Sequence, residues 1–250
     1  MISTVSLPAH NEHTHTVIYL HGHCSSAHVV SQQLWETRDC RGESVQHIFP
    51  SVKWVFPQAD EIFVTRLDQT MREWFDLVDI QDPNKRRELQ DPGLQDVVPQ
   101  LVELVEYEGR IVGLENVILA GISQGCATAI HVLLNLRGQN RRLCAFIGTS
   151  GWMSLGGSSA QESRELLGLE IAGPSDAVYR NTPVFICHCA DDPSVPIKQG
   201  RQLRDTLIAY GMTVTWKEYP TGGHWINCPQ GVEDIADFLR AQGLARNRYS

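Results

Sequence analysis

Ser123 lies in the pentapeptide Gly121-Ile122-Ser123-Gln124-Gly125, which follows an apolar run and leads directly into a helical pattern. A serine on a sharp strand-to-helix turn requires glycine two residues to either side, because a Cβ there would clash with adjacent backbone. The N-terminus of the following helix also directs amide groups and partial positive charge toward the serine. The pattern predicts a nucleophile for acyl transfer, and the alternative is that Ser123 only caps the helix.

A nucleophilic serine needs a base, and the base needs an orienting carboxylate. His224 lies in a glycine-rich loop between the last predicted strand and the last predicted helix, whereas His131 falls within a helix and His188 within a strand. Asp192 follows the penultimate predicted strand, at the sheet edge where open α/β sheets place their ligand chemistry, and Asp191 is the alternative acid. We therefore predict His224 as the base and Asp192 as the acid.

Stabilising the oxyanion of an acyl-transfer intermediate requires two N–H donors. One donor follows the nucleophile and is the backbone amide of Gln124. The other is expected from the loop after the first predicted strand, His21-Gly22-His23-Cys24, in which His23 is best placed. The backbone amide of His23, and not its ring, would take this role.

The elements that position these residues alternate along the chain. Short apolar runs predict strands at 16–20, 52–56, 117–120, 145–148, 184–189 and 214–219. Amphipathic or apolar patterns predict helices at 94–107, 124–136, 198–209 and 231–241. This order is typical of an α/β fold with a mostly parallel central sheet and helices on both faces, formed by residues 1–250 as one domain. The segments 60–91 and 153–181 do not fit the alternation and are predicted to be long loops that act as lids or caps.

Composition excludes several classes of function. The 250 residues carry a formal net charge of -8, which would repel a phosphate backbone, so no nucleic-acid partner is expected. No apolar run approaches the roughly 18 residues needed to cross a bilayer, and the first residues do not resemble a secretory signal. Seven scattered cysteines in a chain of this size favour reduced thiols and a cytoplasmic location.

The histidines of the N-terminal region are candidate metal ligands. His10, His13 and His15 lie close together in sequence, but no cysteine or carboxylate is arranged to complete a closed site. His21, His23 and His28 flank the predicted active site, where an incidental zinc ion would inhibit the enzyme. We therefore predict no native metal.

Several motifs together closely resemble the acyl-protein thioesterase and carboxylesterase branch of the α/β-hydrolases, over nearly the whole chain. The motifs are Leu20-His21-Gly22, Trp74-Phe75-Asp76, Gly121 to Gly125, Ser150-Gly151-Trp152, Asp192-Pro193-Ser194-Val195-Pro196 and Gly223-His224. The resemblance implies the α/β-hydrolase fold and assigns Ser123, Asp192 and His224 as nucleophile, acid and base. It also implies that the His23 and Gln124 amides form the oxyanion hole, that Trp74 lies near the acyl pocket, and that no cofactor takes part.

The sequence departs from the family pattern at Cys24, Cys126, Cys189 and Trp225, which would alter the walls of the pocket. The candidate substrate-binding residues are Trp74, Trp152, Trp225, Cys24 and Val195. We predict hydrolysis of carboxylic esters or thioesters through an acyl-enzyme on Ser123, as the resemblance to acyl-protein thioesterases and carboxylesterases implies, with a lipidated protein among the candidate substrates and a homodimer left open. One alternative is a small-molecule esterase or lactone-forming enzyme with an altered pocket. The other is a ligand-binding protein that keeps a hydrolase fold.

Overall fold

The computed structural model describes residues 2–83, 85–138, 141–169 and 177–245, with only the backbone described at 177. Within these ranges the strands are β1 (Thr4–Leu7), β2 (His15–Leu20), β3 (Val52–Pro57), β4 (Glu61–Val64), β5 (Gln69–Arg72), β6 (Val117–Ile122), β7 (Ala145–Thr149), β8 (Val184–Cys189) and β9 (Val214–Tyr219). The α-helices are α1 (Ala27–Glu36), α2 (Val45–Ile48), α3 (Asp91–Val112), α4 (Gln124–Asn135), α5 (Ala160–Leu167), α6 (Ala177–Asn181), α7 (Ile197–Ala209) and α8 (Gln230–Ala241). Short 3-10 turns precede α3 and β6.

Seven strands form the central sheet in the order β1-β3-β2-β6-β7-β8-β9. Every neighbouring pair is parallel except β1 and β3, which are antiparallel at one edge. Because parallel strands end at the same edge of a sheet, the residues that follow β6, β8 and β9 meet there. The predicted nucleophile, acid and base come from these three segments.

Helices cover both faces of the sheet, and successive side chains of a strand pack against helices on opposite faces. In β6, Val117 and Leu119 pack into one buried cluster with residues of α3, α4 and α7. Ile118 and Ala120 pack into the other cluster with residues of α1, α2 and α8. Since both faces of β6 are buried, its sequence is apolar throughout. The predicted fold class, a mostly parallel sheet with helices on both faces, is confirmed.

Each predicted strand and each predicted helix is present, with ends that differ by a few residues. The largest difference is in α3, which begins at Asp91 instead of 94 because Pro92 occupies the first turn, where a missing N–H costs nothing. It also continues five residues beyond the predicted end, to Val112, and the φ of 90° at the next residue, Gly113, ends the helix. The elements β1, α1 and α2 were not predicted.

The two segments predicted to be long loops contain regular structure, which corrects that part of the prediction. Segment 60–91 holds the antiparallel hairpin β4–β5, and segment 153–181 holds α5 and α6. At α5, the Ser159 side chain accepts a hydrogen bond from the Glu162 amide, and Gly168 ends the helix in the left-handed conformation. Residues 170–176 of the second segment lie outside the described residues. A lid or cap role for either segment stays a prediction.

Two further observations concern the chain as a whole. In the described ranges, no helix combines the length and the apolar character needed to cross a membrane. All seven cysteines are free; Cys24, Cys40 and Cys228 are exposed and the other four are buried. A cytoplasmic location stays a prediction.

Candidate active site

Ser123 occupies a sharp turn between β6 and α4. Its φ of 56° and ψ of -125° are rarely adopted by a residue with a side chain, and such a strained backbone commonly marks a functional site. A Cβ on Gly121 would lie 2.6 Å from the backbone of Gly125, and a Cβ on Gly125 would lie 2.3 Å from the carbonyl oxygen of His21. Both positions therefore require glycine. The Ser123 hydroxyl is buried and has no hydrogen-bond partner among the described residues.

His224 and Asp192 form a hydrogen-bonded pair at the same edge of the sheet. The Nδ1 atom of His224 lies 2.8 Å from Oδ2 and 3.0 Å from Oδ1 of Asp192. A carboxylate only accepts hydrogen bonds, so Nδ1 carries the proton and Nε2 is left as the basic nitrogen. His224 and Ser123 line one cavity, so the predicted base and the predicted nucleophile face a common space.

The carboxylate of Asp192 is held by several donors. Its Oδ1 accepts hydrogen bonds from the backbone amides of Ser194 and Val195, each at 2.9 Å. The ring Nε2 of His188 lies 3.3 Å from Oδ2 and 2.9 Å from the carbonyl oxygen of Val195. Burial raises the pKa of Asp192, but hydrogen bonds from His188, His224 and the Val195 amide outweigh it and hold that pKa well below its usual range. The carboxylate therefore stays ionised and orients the His224 ring.

Asp191, the alternative acid, contacts the loop that carries His224. Its carboxylate accepts hydrogen bonds from the amides of Gly222 at 3.3 Å and Gly223 at 2.8 Å. Both glycines have positive φ, so this turn depends on residues without a Cβ. Asp191 thus fixes the loop, while Asp192 contacts the imidazole.

The two residues whose amides are predicted to form the oxyanion hole are neighbours of the nucleophile: Gln124 follows it in sequence, and His23 lines the same cavity. Gln124 is the first residue of α4, and His23 follows Gly22, whose position approaches Ser123 so closely that a Cβ there would lie 3.4 Å from the serine Cβ. In the described part of the chain, neither amide donates a hydrogen bond to a protein group. Both donors are therefore free to bind an oxyanion.

The side chain of Gln124 joins α4 to residues 73–75. Its Nε2 donates to Oε2 of Glu73 at 3.1 Å and to the carbonyl oxygen of Phe75 at 2.7 Å, and its Oε1 accepts from the Trp74 amide at 3.1 Å. The indole Nε1 of Trp74 donates to the carbonyl oxygen of His21 at 2.8 Å. Trp74 is buried and supports the loop that carries His23.

Glu73 is a buried carboxylate beside this loop. The guanidinium of Arg66 lies 3.1 Å from its Oε1 and 3.0 Å from the Nδ1 of His23. Burial raises the pKa of Glu73, but the hydrogen bond and charge of His23, the charge of Arg66 and a hydrogen bond from Gln124 lower it overall. Glu73, His23 and Cys24 together offer three donor atoms within 4.8 Å of one another. Because Arg66 already supplies a positive charge among these groups, we assign no metal to them.

The cavity shared by Ser123 and His224 measures about 160 Å³. Its lining includes Trp225, whose indole donates a hydrogen bond to Thr37 at 2.8 Å. The other candidate substrate-binding residues do not line this cavity. Trp74, Trp152 and Val195 are buried, and Cys24 is on the surface with its thiol 3.5 Å from Met71 Sδ and from Glu73 Oε1. Their roles in substrate binding stay predictions.

Three residues of the site were not predicted from the sequence. Glu73 and Arg66 lie in the charged segment 60–91, where no pattern separates a buried charge from exposed ones. His188 falls within a predicted strand, and the signal for its contact with Asp192 is that Asp192 comes four residues later, just beyond the end of β8. His131, which falls within a predicted helix, is buried in α4 with Nε2 at 2.8 Å from the Ser154 carbonyl oxygen.

Comparison with known proteins identifies clear relatives. A family model described as Phospholipase/Carboxylesterase matches residues 3–242. The chain is 28% identical over 253 residues to acyl-protein thioesterase 1 of Gibberella zeae, covering 98% of each chain. It is 28% identical over 181 residues to the carboxylesterase SOBER1 of Arabidopsis thaliana, covering 71% of this chain and 72% of that one. The crystal structure of Zea mays acyl-protein thioesterase 2 has the same fold, with a TM-score of 0.74, 22% identity and coverage of 97% and 99%.

Proposed function

Because this chain belongs to the phospholipase/carboxylesterase family and is a serine hydrolase of ester or thioester bonds, we propose that Ser123 is its nucleophile, with His224 as base and Asp192 as acid. The observation that carries the proposal is the His224–Asp192 hydrogen bond of 2.8 Å beside a cavity that Ser123 also lines. The strained turn at Ser123 supports it further.

In the proposed reaction, Nε2 of His224 takes the Ser123 proton as the serine oxygen attacks the acyl carbon. The amides of His23 and Gln124 bind the oxyanion of the tetrahedral intermediate. When this intermediate collapses, the carbon–oxygen or carbon–sulfur bond breaks and His224 protonates the departing alcohol or thiol. A water molecule, deprotonated by His224, then attacks the acyl-enzyme and releases the carboxylic acid, which restores Ser123. Each oxyanion donor is expected to lower the barrier by about 3 kcal/mol.

The first test replaces members of the triad. Ser123→Ala is expected to abolish labelling by a fluorophosphonate probe and to lower kcat/KM for a short acyl thioester by at least about 10⁴-fold, since the acyl-enzyme is lost. Asp192→Asn is expected to lower kcat by about 10⁴-fold, because the imidazole loses its orienting carboxylate. Ser194→Ala, next to the acid but with only its backbone in use, serves as the control. If Ser123→Ala still labels, another nucleophile acts.

The size of the cavity favours a small acyl group as substrate. At about 160 Å³ it is smaller than the 300 to 1,000 Å³ typical of pockets for drug-sized ligands, and the Trp225 ring forms part of its lining. This favours the small-molecule esterase alternative over hydrolysis of long acyl chains from proteins. We expect turnover of a butyryl ester to exceed that of a palmitoyl thioester by at least about tenfold in kcat/KM. A preference for palmitoyl thioester would instead support the prediction of an acyl-protein thioesterase.

A ligand-binding role without turnover is the remaining alternative. The free oxyanion amides and the oriented imidazole argue against it, because binding alone requires neither. Absence of both labelling and hydrolysis in folded protein would support this alternative.

A further inference from the structure

A second and larger cavity, about 520 Å³, lies between the β1 edge of the sheet, α1 and α2. We call it the α1 cavity. Helix α1 separates it from the cavity that contains Ser123. Gln32 and Trp35 of α1 line the α1 cavity, whereas Val30 and Gln33 of the same helix line the catalytic one. The α1 cavity is therefore a distinct site with no part in the proposed hydrolysis.

The lining of the α1 cavity is apolar, apart from a few polar groups. Val5 and Leu7 of β1, Val52 of β3 and two tryptophans provide apolar surface. Among the residues that the structure describes, no Lys, Arg, Asp or Glu lines it. Volume and lining both match those of small-molecule sites, which are mostly apolar with a few placed polar groups. The two histidines of the lining, His10 and His28, carry no permanent charge, so an uncharged ligand is favoured.

Two buried residues of the lining have polar atoms without partners. Within the described ranges, the Oε1 atom of Gln46 accepts no hydrogen bond and its Nε2 atom donates none. The indole Nε1 of Trp54 likewise donates no hydrogen bond. Each such buried atom costs about 1 to 3 kcal/mol when it makes no hydrogen bond. Together the three atoms are complementary to a ligand group that both donates and accepts hydrogen bonds.

Aromatic rings lie at the α1 side of the cavity. The Trp35 ring of the lining packs against His47, with 4.6 Å between ring centroids, and His47 stacks on His10, another lining residue, at 6.5 Å. Rings held in this way offer rigid flat surfaces at a low entropy cost. A flat apolar ligand body would stack on them.

We propose that the α1 cavity binds an uncharged small molecule with a flat apolar body and a head group that both donates and accepts hydrogen bonds, such as a primary carboxamide. The carboxamide oxygen accepts from Gln46 Nε2 or Trp54 Nε1, and its N–H donates to Gln46 Oε1. The body packs between the β1 side chains and Trp35.

Calorimetric titration with three probes that share one ring system tests the head group. The probes are 2-naphthamide, 2-naphthoate and 2-methylnaphthalene, and the full-length Ser123→Ala variant is used so that no probe is consumed. We expect 2-naphthamide to bind with 1:1 stoichiometry and at least tenfold more tightly than either of the others. Equal affinity for all three, or binding of none, would overturn the proposal.

Two neighbouring glutamines on α1 provide a matched pair of variants for locating the site. Gln32→Trp, on the α1 cavity, is expected to abolish binding of 2-naphthamide, whereas Gln33→Trp, on the catalytic cavity, is expected to leave it unchanged. Both residues are exposed, so both variants should fold. Gln46→Met, which removes the amide but keeps the volume, is expected to weaken binding at least tenfold.

Ester hydrolysis and thermal unfolding, measured with Ser123 intact, separate loss of the site from loss of the fold. Gln32→Trp and Gln46→Met should keep the wild-type hydrolysis rate within about threefold, because neither residue lines the catalytic cavity. Loss of binding in Gln33→Trp together with retention in Gln32→Trp would assign the probe to the catalytic cavity and overturn the proposal.

Discussion

Glu73 connects the two residues whose amides are proposed to bind the oxyanion. One oxygen of its carboxylate accepts from the Gln124 side chain at 3.1 Å, and the other lies 3.5 Å from His23 Nδ1. The guanidinium of Arg66 lies 3.1 Å from Oε1 of Glu73, and this ion pair offsets the cost of burying the carboxylate. A displacement of Glu73 would therefore alter the spacing between the two amides.

We predict that Glu73→Gln lowers kcat about tenfold or more and changes KM less than threefold. The neutral amide places an NH₂ group against a donor of either Arg66 or Gln124, so one of the two contacts is lost. Steady-state kinetics on a short ester would measure this effect, together with the rate of fluorophosphonate labelling. Glu61→Gln removes an exposed partner of Arg72 and is the control. An unchanged kcat in folded Glu73→Gln would contradict the positioning role.

At the scale of single residues, sequence could predict a group only where a motif constrains it. Ser123 was predicted from flanking glycines, and Asp192 and His224 from their places after consecutive strands. Glu73 belongs to no such motif, because its burial depends on a contact with Gln124 of α4, which is distant in sequence. Long-range pairing of this kind leaves no local pattern in the sequence.

At the scale of the elements, the turn from β6 into α4 packs closely against the backbone at the end of β2. A Cβ at position 125 would lie 2.3 Å from the carbonyl oxygen of His21 and 2.5 Å from that of Leu20. Both are backbone atoms of β2 and the loop after it, so rotation of a side chain could not remove the clash. The end of β2, and with it the His23 amide, would have to move.

We predict that Gly125→Ala lowers kcat at least 100-fold and lowers the free energy of unfolding by about 2 to 4 kcal/mol, because overpacking displaces the backbone of the oxyanion loop. Urea unfolding and kinetics would measure the two effects. Gly231→Ala in the first turn of α8 is the control, because its Cβ would approach nothing closer than 3.2 Å. We expect that variant to remain within about 1 kcal/mol of the parent. Full activity of Gly125→Ala would contradict this account of the turn.

Elements were predictable where burial on both faces or a clear helical stripe marks the sequence. Strand β6 and helix α4 are of this kind. The hairpin β4–β5 was missed because three of the four residues of β5 are polar or charged, so no apolar alternation shows. Helix α1 was missed because both its exposed and its buried positions include polar side chains; Ser31 is buried. Its N-cap Ser26, which accepts from the Val29 amide, was the available signal.

Across the whole molecule, buried neutral histidines link stability to pH. Burial lowers the pKa of His131 to about 4 and that of His21 to about 4. In His21, the Ala59 amide donates to Nε2, so that nitrogen has no room for a proton while Nδ1 contacts the Gly22 carbonyl oxygen. The folded state therefore resists protonation that the unfolded chain accepts near pH 6.5. The stability these rings contribute is full above pH 6.5 and is lost as pH falls from 6.5 toward about 4.

We predict that His131→Gln reduces the loss of stability between pH 8 and pH 5 by about 2 kcal/mol, the linkage expected for one such ring. The glutamine Nε2 can still donate to the Ser154 carbonyl oxygen but carries no titrating proton. Urea unfolding at the two pH values would measure it. An identical loss in variant and parent would show that His131 titrates alike in the folded and unfolded chains.

The sheet ends at β9, and the charges on that strand have a consequence for association. Glu218 forms an ion pair with Arg201 at 2.6 Å, and Lys217 forms one with Asp234 at 3.3 Å. Because residues 217 and 218 are consecutive in the outermost strand, these ion pairs lie on its two opposite faces. A neighbouring molecule that extended the sheet by adding its own strand would have to strip water from these groups. Edge-to-edge polymerisation of the native protein is therefore disfavoured at β9.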